Sequence, residues 1–457
     1  MALPPGPRTS PFGQTLRLVR GPREFLDECH RRYGDTFTLR VWSPGRTAPV
    51  VFTSDPGTIK RIFTTSDDSL RAGEAAVGVV GPFLGDYSLL TLDGPEHRRQ
   101  RKLLMPPFHG ERMRAYGDTM RNITEASIEG WPVGTPFELH DQMQQITLNV
   151  ILRTVFGLQD GSHMDRLGAA LTAVMDLGRN PLNLLPLSRV NWGPRSPRGT
   201  FERLKNNADK LVFEEITRRR GAGGHEDRTD VLALMLSAVD EAGEGMGDQE
   251  IRDELVTMLA AGHETTATAL AWTVDRLLSR HSTYERLVAE IDDVLRGDPI
   301  TADHIPKLEY LDAVCKESLR LRPVVPNVAR VAQVPLTVRG FALPARTVIA
   351  PSIYLTHRRA DLYPEPHKFK PERWLGAKVD PYKWLPFGGG TRRCIGIAFA
   401  MFELKVVLAT TLRRVSLGLA PGSTGRMARR TVTFAPSDGA LVVANPRLAQ
   451  RRRELAG

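Results

Sequence analysis

Phe387-Gly388-Gly389-Gly390-Thr391-Arg392-Arg393-Cys394-Ile395-Gly396 encloses one cysteine in glycines, an aromatic residue and two arginines, directly ahead of an apolar helical run. Glycine reaches positive φ at little cost and lets main-chain N–H groups approach a ligand, so three in a row predict a bulged loop. A sulfur held there, next to N–H groups, a helix N-terminus and the cation of Arg392, is expected to favour the thiolate. Zinc would need companion ligands, yet no second cysteine or histidine at ligand spacing surrounds Cys394, and Cys29 and Cys315 are remote in sequence. One thiolate without a second local ligand suits heme iron.

Here the chain resembles the cytochrome P-450 superfamily, whose cysteine loop F-x-x-G-x-[RH]-x-C-x-G is met by Phe387, Gly390, Arg392, Cys394 and Gly396. The resemblance implies a mainly α fold with small β-sheets (α+β), residues 1–457 forming a single heme-binding domain, with Cys394 as the axial ligand of heme b.

A second pattern lies upstream. From Asp248 the apolar spacing predicts one long helix interrupted by Ala261-Gly262-His263-Glu264-Thr265-Thr266. A mid-helix glycine costs about 1 kcal/mol relative to alanine, and threonine hydroxyls can bond back to carbonyls and bend a helix. Such local weakness in a long element points to function. The notch resembles the superfamily's [AG]-G-x-[DE]-T-[TS] signature. By that resemblance Thr265 is the alcohol beside dioxygen, Glu264 is the acid of the proton relay, and Ala261 and Gly262 leave room over the iron. His263 is expected to point away from the heme.

The remaining elements must hold these groups in place. Leu308, Leu311, Val314 or Cys315 and Leu319 have helical spacing ended by Pro323, and Glu317 and Arg320 share a face of that helix. With Arg373 in Pro371-Glu372-Arg373-Trp374 they resemble the family's buried Glu–Arg–Arg brace for the cysteine loop. Two propionates call for arginine forks and histidine donors. His97 and Arg101 at i,i+4, Arg330 and Arg392 match the family's anchors, whereas Arg98, Arg99 and Lys102 read as solvated surface. β-Rich parts are expected near 37–52, 334–349 and 431–443, the last as a hairpin of Thr431–Phe434 with Ala440–Val443. Residues 220–225 and 240–247 read as loops, and Leu177 to Thr200 as an irregular lid or binding loop.

Composition narrows the function classes. Hydrophobic residues at 41% and charged residues at 25% describe a folded globular chain of 457 residues. The formal charge of +10 is scattered and lacks a nucleic-acid-reading motif, so no nucleic-acid partner is expected. No apolar run reaches the ~18 residues of a membrane span, and three widely spaced cysteines make no disulfide framework; both fit a cytoplasmic protein with no membrane anchor.

The resemblance implies a monomeric heme-thiolate monooxygenase that places one atom of O₂ in a lipophilic small molecule, a terpenoid, steroid, fatty acid or polyketide. Electrons would come ultimately from NAD(P)H, through a separate ferredoxin or flavodoxin with its reductase docking on the cysteine side, since no flavin or iron–sulfur domain is recognisable. The expected pocket is lined by the loop between Arg71 and Leu90, Leu177 to Thr200, Leu259 and Ala260, Val324 to Val328, and a tip at Pro436-Ser437. A heme-thiolate peroxygenase or isomerase, and a non-enzymatic heme sensor, are the alternatives.

Overall fold

The computed structural model describes residues 3–43, 46–106, 112–179, 193–224, 228–430 and 432–447. Helix dominates, with the long helix Asp248–Leu278 at the centre. Gly247 caps it, its N–H donating to the Glu250 carboxylate at 2.8 Å. Helices Leu139–Thr154, Glu309–Leu321 and Ile397–Arg414 pack around it, and buried Leu270, Val274, Leu311, Val314, Val407 and Leu408 join one core between them.

The largest sheet has five strands, in the spatial order Thr36–Ser43, Arg46–Thr53, Val348–Pro351, Arg330–Ala332, Leu70–Arg71. Its first pair is the hairpin expected near 37–52, with Phe37 stacked on Phe52 across the register at 5.6 Å; the Pro44-Gly45 tip lies outside the described residues. The 334–349 region divides. Leu336–Val338 pairs with Phe341–Leu343, and Val348–Pro351 joins the large sheet.

Three expectations are corrected. Thr433–Pro436 does not pair with Ala440–Val443; it folds back on Met427–Arg430, while Leu441–Pro446 pairs with Val415–Leu419 and Pro136–Glu138. Tertiary hydrogen bonds fix the choice: Phe434 donates its N–H to the Val324 carbonyl at 2.8 Å and accepts from the Trp272 indole at 2.7 Å. The segment between Arg71 and Leu90 is largely the helix Gly73–Leu84, because the Asp93 carboxylate accepts from the N–H groups of Ala72, Gly73 and Glu74 at 3.0, 2.8 and 2.8 Å. That cap comes from about twenty residues away, so no local cue announces it. Residues 220–222 finish the helix Pro197–Ala222 rather than forming a loop. Most of Leu177 to Thr200 lies outside the described residues.

The brace beneath the cysteine loop is built as expected, and it extends further. Glu317 and Arg320 are both fully buried, and two parallel bonds of 2.8 Å join them. Arg373, the Trp374 indole and the Lys370 N–H also donate to Glu317, at 3.1, 2.9 and 2.9 Å. Arg320 donates onward to the carbonyls of His357 and Pro366, both at 2.7 Å. His357 completes the lattice. The Leu385 N–H donates to its Nε2 at 2.7 Å, so the ring proton sits on Nδ1 and is directed at the Arg320 carbonyl, 3.1 Å away. Burial, with Arg320 and Arg358 nearby, holds this imidazole neutral, its pKa well below the ordinary histidine value.

Two outcomes follow from this lattice. Glu317→Gln leaves a buried guanidinium without its counter-charge and is expected to cost about 3–5 kcal/mol, read as a loss in urea-unfolding stability. His357 has a depressed folded pKa, so its contribution is complete above the unfolded value near 6.5 and is lost as pH falls below it. Stability should therefore drop on acidification with a slope from this group of up to about 1.4 kcal/mol per pH unit, and His357→Gln should flatten that slope in unfolding curves taken between pH 7.5 and 5.

Candidate heme-thiolate active site

Cys394 sits in a loop shaped by its glycines. Gly388 and Gly390 both have φ of +67°, and the Cys394 N–H donates to the Phe387 carbonyl at 3.0 Å. Phe387 packs edge-on against Trp384 with ring centroids 5.8 Å apart. The loop lies against Phe63. A methyl group on Gly389 would enter the Phe63 ring, and one on Gly390 would overlap the Phe63 carbonyl. The helix Ile397–Arg414 then starts at its N-cap Gly396.

The long helix is buried at every residue from Ile251 to Thr257 and from Thr266 to Asp275. Between them Met258, Ala260, Ala261, Gly262, Glu264 and Thr265 are accessible, Ala261 most of all. A matching window runs from Arg392 to Ala398, with Cys394 and Ala398 exposed. Met258 and Ile395 both pack where the two principal cores meet, so the windows lie at one place in the interior. Cys394 is accessible and yet densely surrounded by protein. Burial accordingly pushes its thiol above the ordinary range, against the Gly396 N–H, Arg101 and Arg393. The cations that oppose burial are Arg101 and Arg393 rather than Arg392.

Thr265 and Glu264 diverge from the helix. The Thr265 hydroxyl donates back to the Ala261 carbonyl and remains accessible on that face. Glu264 turns toward the helix Leu139–Thr154, where its Oε2 accepts from Gln144 at 2.5 Å. His263 is buried on the same side, with Nδ1 at 3.0 Å from the Thr147 hydroxyl, away from the Ala261 face as expected. At Gly262 a Cβ would meet the tip of the Ile151 side chain, on the helix Leu139–Thr154, at 2.9 Å.

His97, Arg101, Arg330 and Arg392 converge near Cys394. Burial, followed by Arg392, brings His97 down to about 4, with Arg101 and Arg330 adding smaller effects. Burial, followed by Arg392, lowers Arg330 to about 10. Arg101 is also lowered, first by burial, and its guanidinium makes no hydrogen bond among the described residues. Arg392 is tied to Asp93 at 2.5 Å and to Asp67 at 3.4 Å, but its Nε and His97 Nδ1 are buried without a hydrogen bond. Asp67 stands 3.8 Å from that His97 nitrogen, too far for one. Two orphaned buried nitrogens among closely placed arginines fit a ligand bearing paired carboxylates, as heme does. Beside them a single accessible sulfur offers one soft axial ligand.

Several contributors escaped the sequence. Asp93 both caps the helix Gly73–Leu84 and holds Arg392; Phe63 shapes the loop; His140 and Gln144 face Glu264. Glu403, on the helix after the loop, is buried and held well above the usual carboxylate range, with the Thr266 hydroxyl opposing that shift. The only local signal was the spacing of His140, Gln144, Thr147 and Ile151 along one helix face. Arg99 is not solvated surface: it bridges Asp240 at 2.7 Å and Glu250 at 2.9 Å, joining its helix to the start of the long one.

An interior thiol below a helix notch, ringed by buried cations in a helical fold, defines a heme-thiolate class of protein. The chain belongs to the cytochrome P-450 family, whose model matches residues 4–443. It is 41% identical over 442 residues to "Putative cytochrome P-450 135B1" of Mycobacterium tuberculosis, covering 97% of this chain and 91% of that one. It is 37% identical over 446 residues to "Putative cytochrome P-450 138" of the same organism, covering 96% of each. The solved structure of retinoic acid-bound cyanobacterial CYP120A1 matches with a TM-score of 0.85 and 25% identity, over 98% of this chain and all of that one. The protein is therefore a cytochrome P-450 monooxygenase, of a family that carries heme and incorporates oxygen.

Gly390→Ala should strain φ and collide with the Phe63 backbone at once. The expected result is soluble protein that retains markedly less heme, measured as the heme-to-protein absorbance ratio after gel filtration.

Proposed function

We propose that residues 1–457 form one heme domain that oxygenates a lipophilic small molecule, with Cys394 as axial ligand and His97, Arg101, Arg330 and Arg392 holding the propionates. The convergence of one accessible cysteine sulfur with His97 and three arginines, all lowered first by burial, carries this proposal. Bound heme supplies the iron at which dioxygen is activated. The chain's own residues do the rest. Phe387 and Gly396 shape the loop around the sulfur, and Ala261 leaves space on the facing helix. The Thr265 hydroxyl and Glu264 carboxylate hold and pass protons, while the buried stretches on either side of the notch exclude bulk water.

The apolar, partly accessible Val325, Val328 and Ala260 favour a terpenoid, steroid, fatty acid or polyketide, and the retinoic acid bound by the cyanobacterial relative belongs to that range, whereas Leu259 and Val324, expected to line the pocket, are packed in the core. Among the described residues no helix is long and apolar enough to cross a membrane. A cytoplasmic monomer fed with NAD(P)H-derived electrons by a ferredoxin or flavodoxin and its reductase is the working form proposed. The exposed Arg393, next to the cysteine, offers such an acidic partner a contact.

The reduced, CO-bound protein is expected to show the red-shifted Soret band of thiolate ligation, and Cys394→Ser should abolish it. Thr265→Ala should keep the band and lower the fraction of electrons recovered in product. Peroxide-driven turnover indifferent to Thr265→Ala would favour the peroxygenase alternative.

A further inference from the structure

We propose that Arg430, His140 and Thr268 form a one-way hydrogen-bond chain that orients Glu264, making His140 a positioning residue for proton delivery; this rests on the role just given to Glu264. The direction of the chain follows from donor chemistry. A guanidinium can only donate, and Arg430 Nη1 lies 3.2 Å from His140 Nδ1, so Nδ1 is the bare nitrogen and the ring proton is on Nε2. That Nε2 is 3.0 Å from the Thr268 hydroxyl and 3.8 Å from Glu264 Oε1. Accepting from His140 leaves the Thr268 proton for Glu264 Oε1, 3.5 Å away, while Gln144 donates to Oε2 at 2.5 Å. Each carboxylate oxygen then faces a donor.

The parts come from three elements. His140 and Gln144 are i,i+4 on the helix Leu139–Thr154, Glu264 and Thr268 are i,i+4 on the long helix, and Arg430 ends the strand Met427–Arg430. His140 is fully buried, and with Arg430 at Nδ1 its Nε2 proton is directed at Thr268 and so toward Glu264. Gln144 and Thr268 together fix the orientation of the Glu264 carboxylate next to Thr265.

Productive turnover consumes substrate, O₂, two electrons and two protons and yields hydroxylated substrate and water. The same O₂, electrons and protons without substrate oxidation yield hydrogen peroxide, the electrons in both cases coming from the redox partner. A misoriented Glu264 should shift the balance from the first to the second.

The test uses the heme-loaded enzyme with a ferredoxin or flavodoxin system and a substrate found by spectral titration. Thr268→Val, His140→Leu and Arg430→Gln should each raise the peroxide-to-product ratio several-fold, with unchanged substrate Kd and CO-bound Soret band, and His140→Gln, which keeps a donor N–H, should restore part of the coupling. Nitrogen-15 spectra of the diamagnetic ferrous CO form should show His140 Nδ1 as pyridine-type and Nε2 as pyrrole-type, with the preference lost in Arg430→Gln. Glu264→Gln separates the two readings: if it leaves coupling intact, the relay role of Glu264 fails. If it uncouples while Thr268→Val does not, or if the wild-type proton sits on Nδ1, the positioning chain is overturned.

Discussion

Everything at the cysteine side of this enzyme hangs on the Glu317 carboxylate, which accepts bonds from Arg320, Arg373, Trp374 and the Lys370 N–H in a fully buried setting. A buried ion pair contributes little net stability over an apolar substitute, but its members tolerate almost no displacement because each lost bond exposes an uncompensated charge. Geometry is what it provides. Through Arg320, His357 and the Leu385 N–H, the position of one carboxylate reaches the start of the cysteine loop.

The opposite electrostatic arrangement surrounds the sulfur. There the cations are left incompletely compensated: Asp67 and Asp93 partly balance Arg392, while His97 and Arg330 are both depressed first by burial and then by Arg392. A dianionic ligand relieves that repulsion and satisfies the orphaned nitrogens. Asp93 also caps the helix Gly73–Leu84, so the same carboxylate connects a cation anchor with a segment that borders the expected substrate region.

The cysteine loop, the helix notch and the Glu–Arg pair were legible because each is compact in sequence and restricted in residue type. Gly390 must be glycine for two local reasons visible in advance, positive φ and close approach, although the surface it approaches, Phe63, was not. Gly262 was read as space on the helix, with no hint of its neighbour. A small residue in a helix signals close contact without saying with what, and here the contact is Ile151. The C-terminal hairpin failed for a related reason: alternating strands announce themselves, but their partners depend on distant groups such as Trp272 and Val324.

The sequence by itself was enough to recognise the family and to mark the candidate axial sulfur and the candidate acid–alcohol pair, since a lone cysteine in a glycine loop and an acid–alcohol step on a helix are chemical identities carried by neighbouring residues. Tertiary structure alone decided the state of those groups. The thiol of Cys394 is raised by burial, Arg392 is shared with two carboxylates, and Glu264 faces Gln144, Thr268 and His140. Protonation and orientation depend on what surrounds a group in three dimensions, and those surroundings are assembled from residues more than a hundred positions apart in the chain.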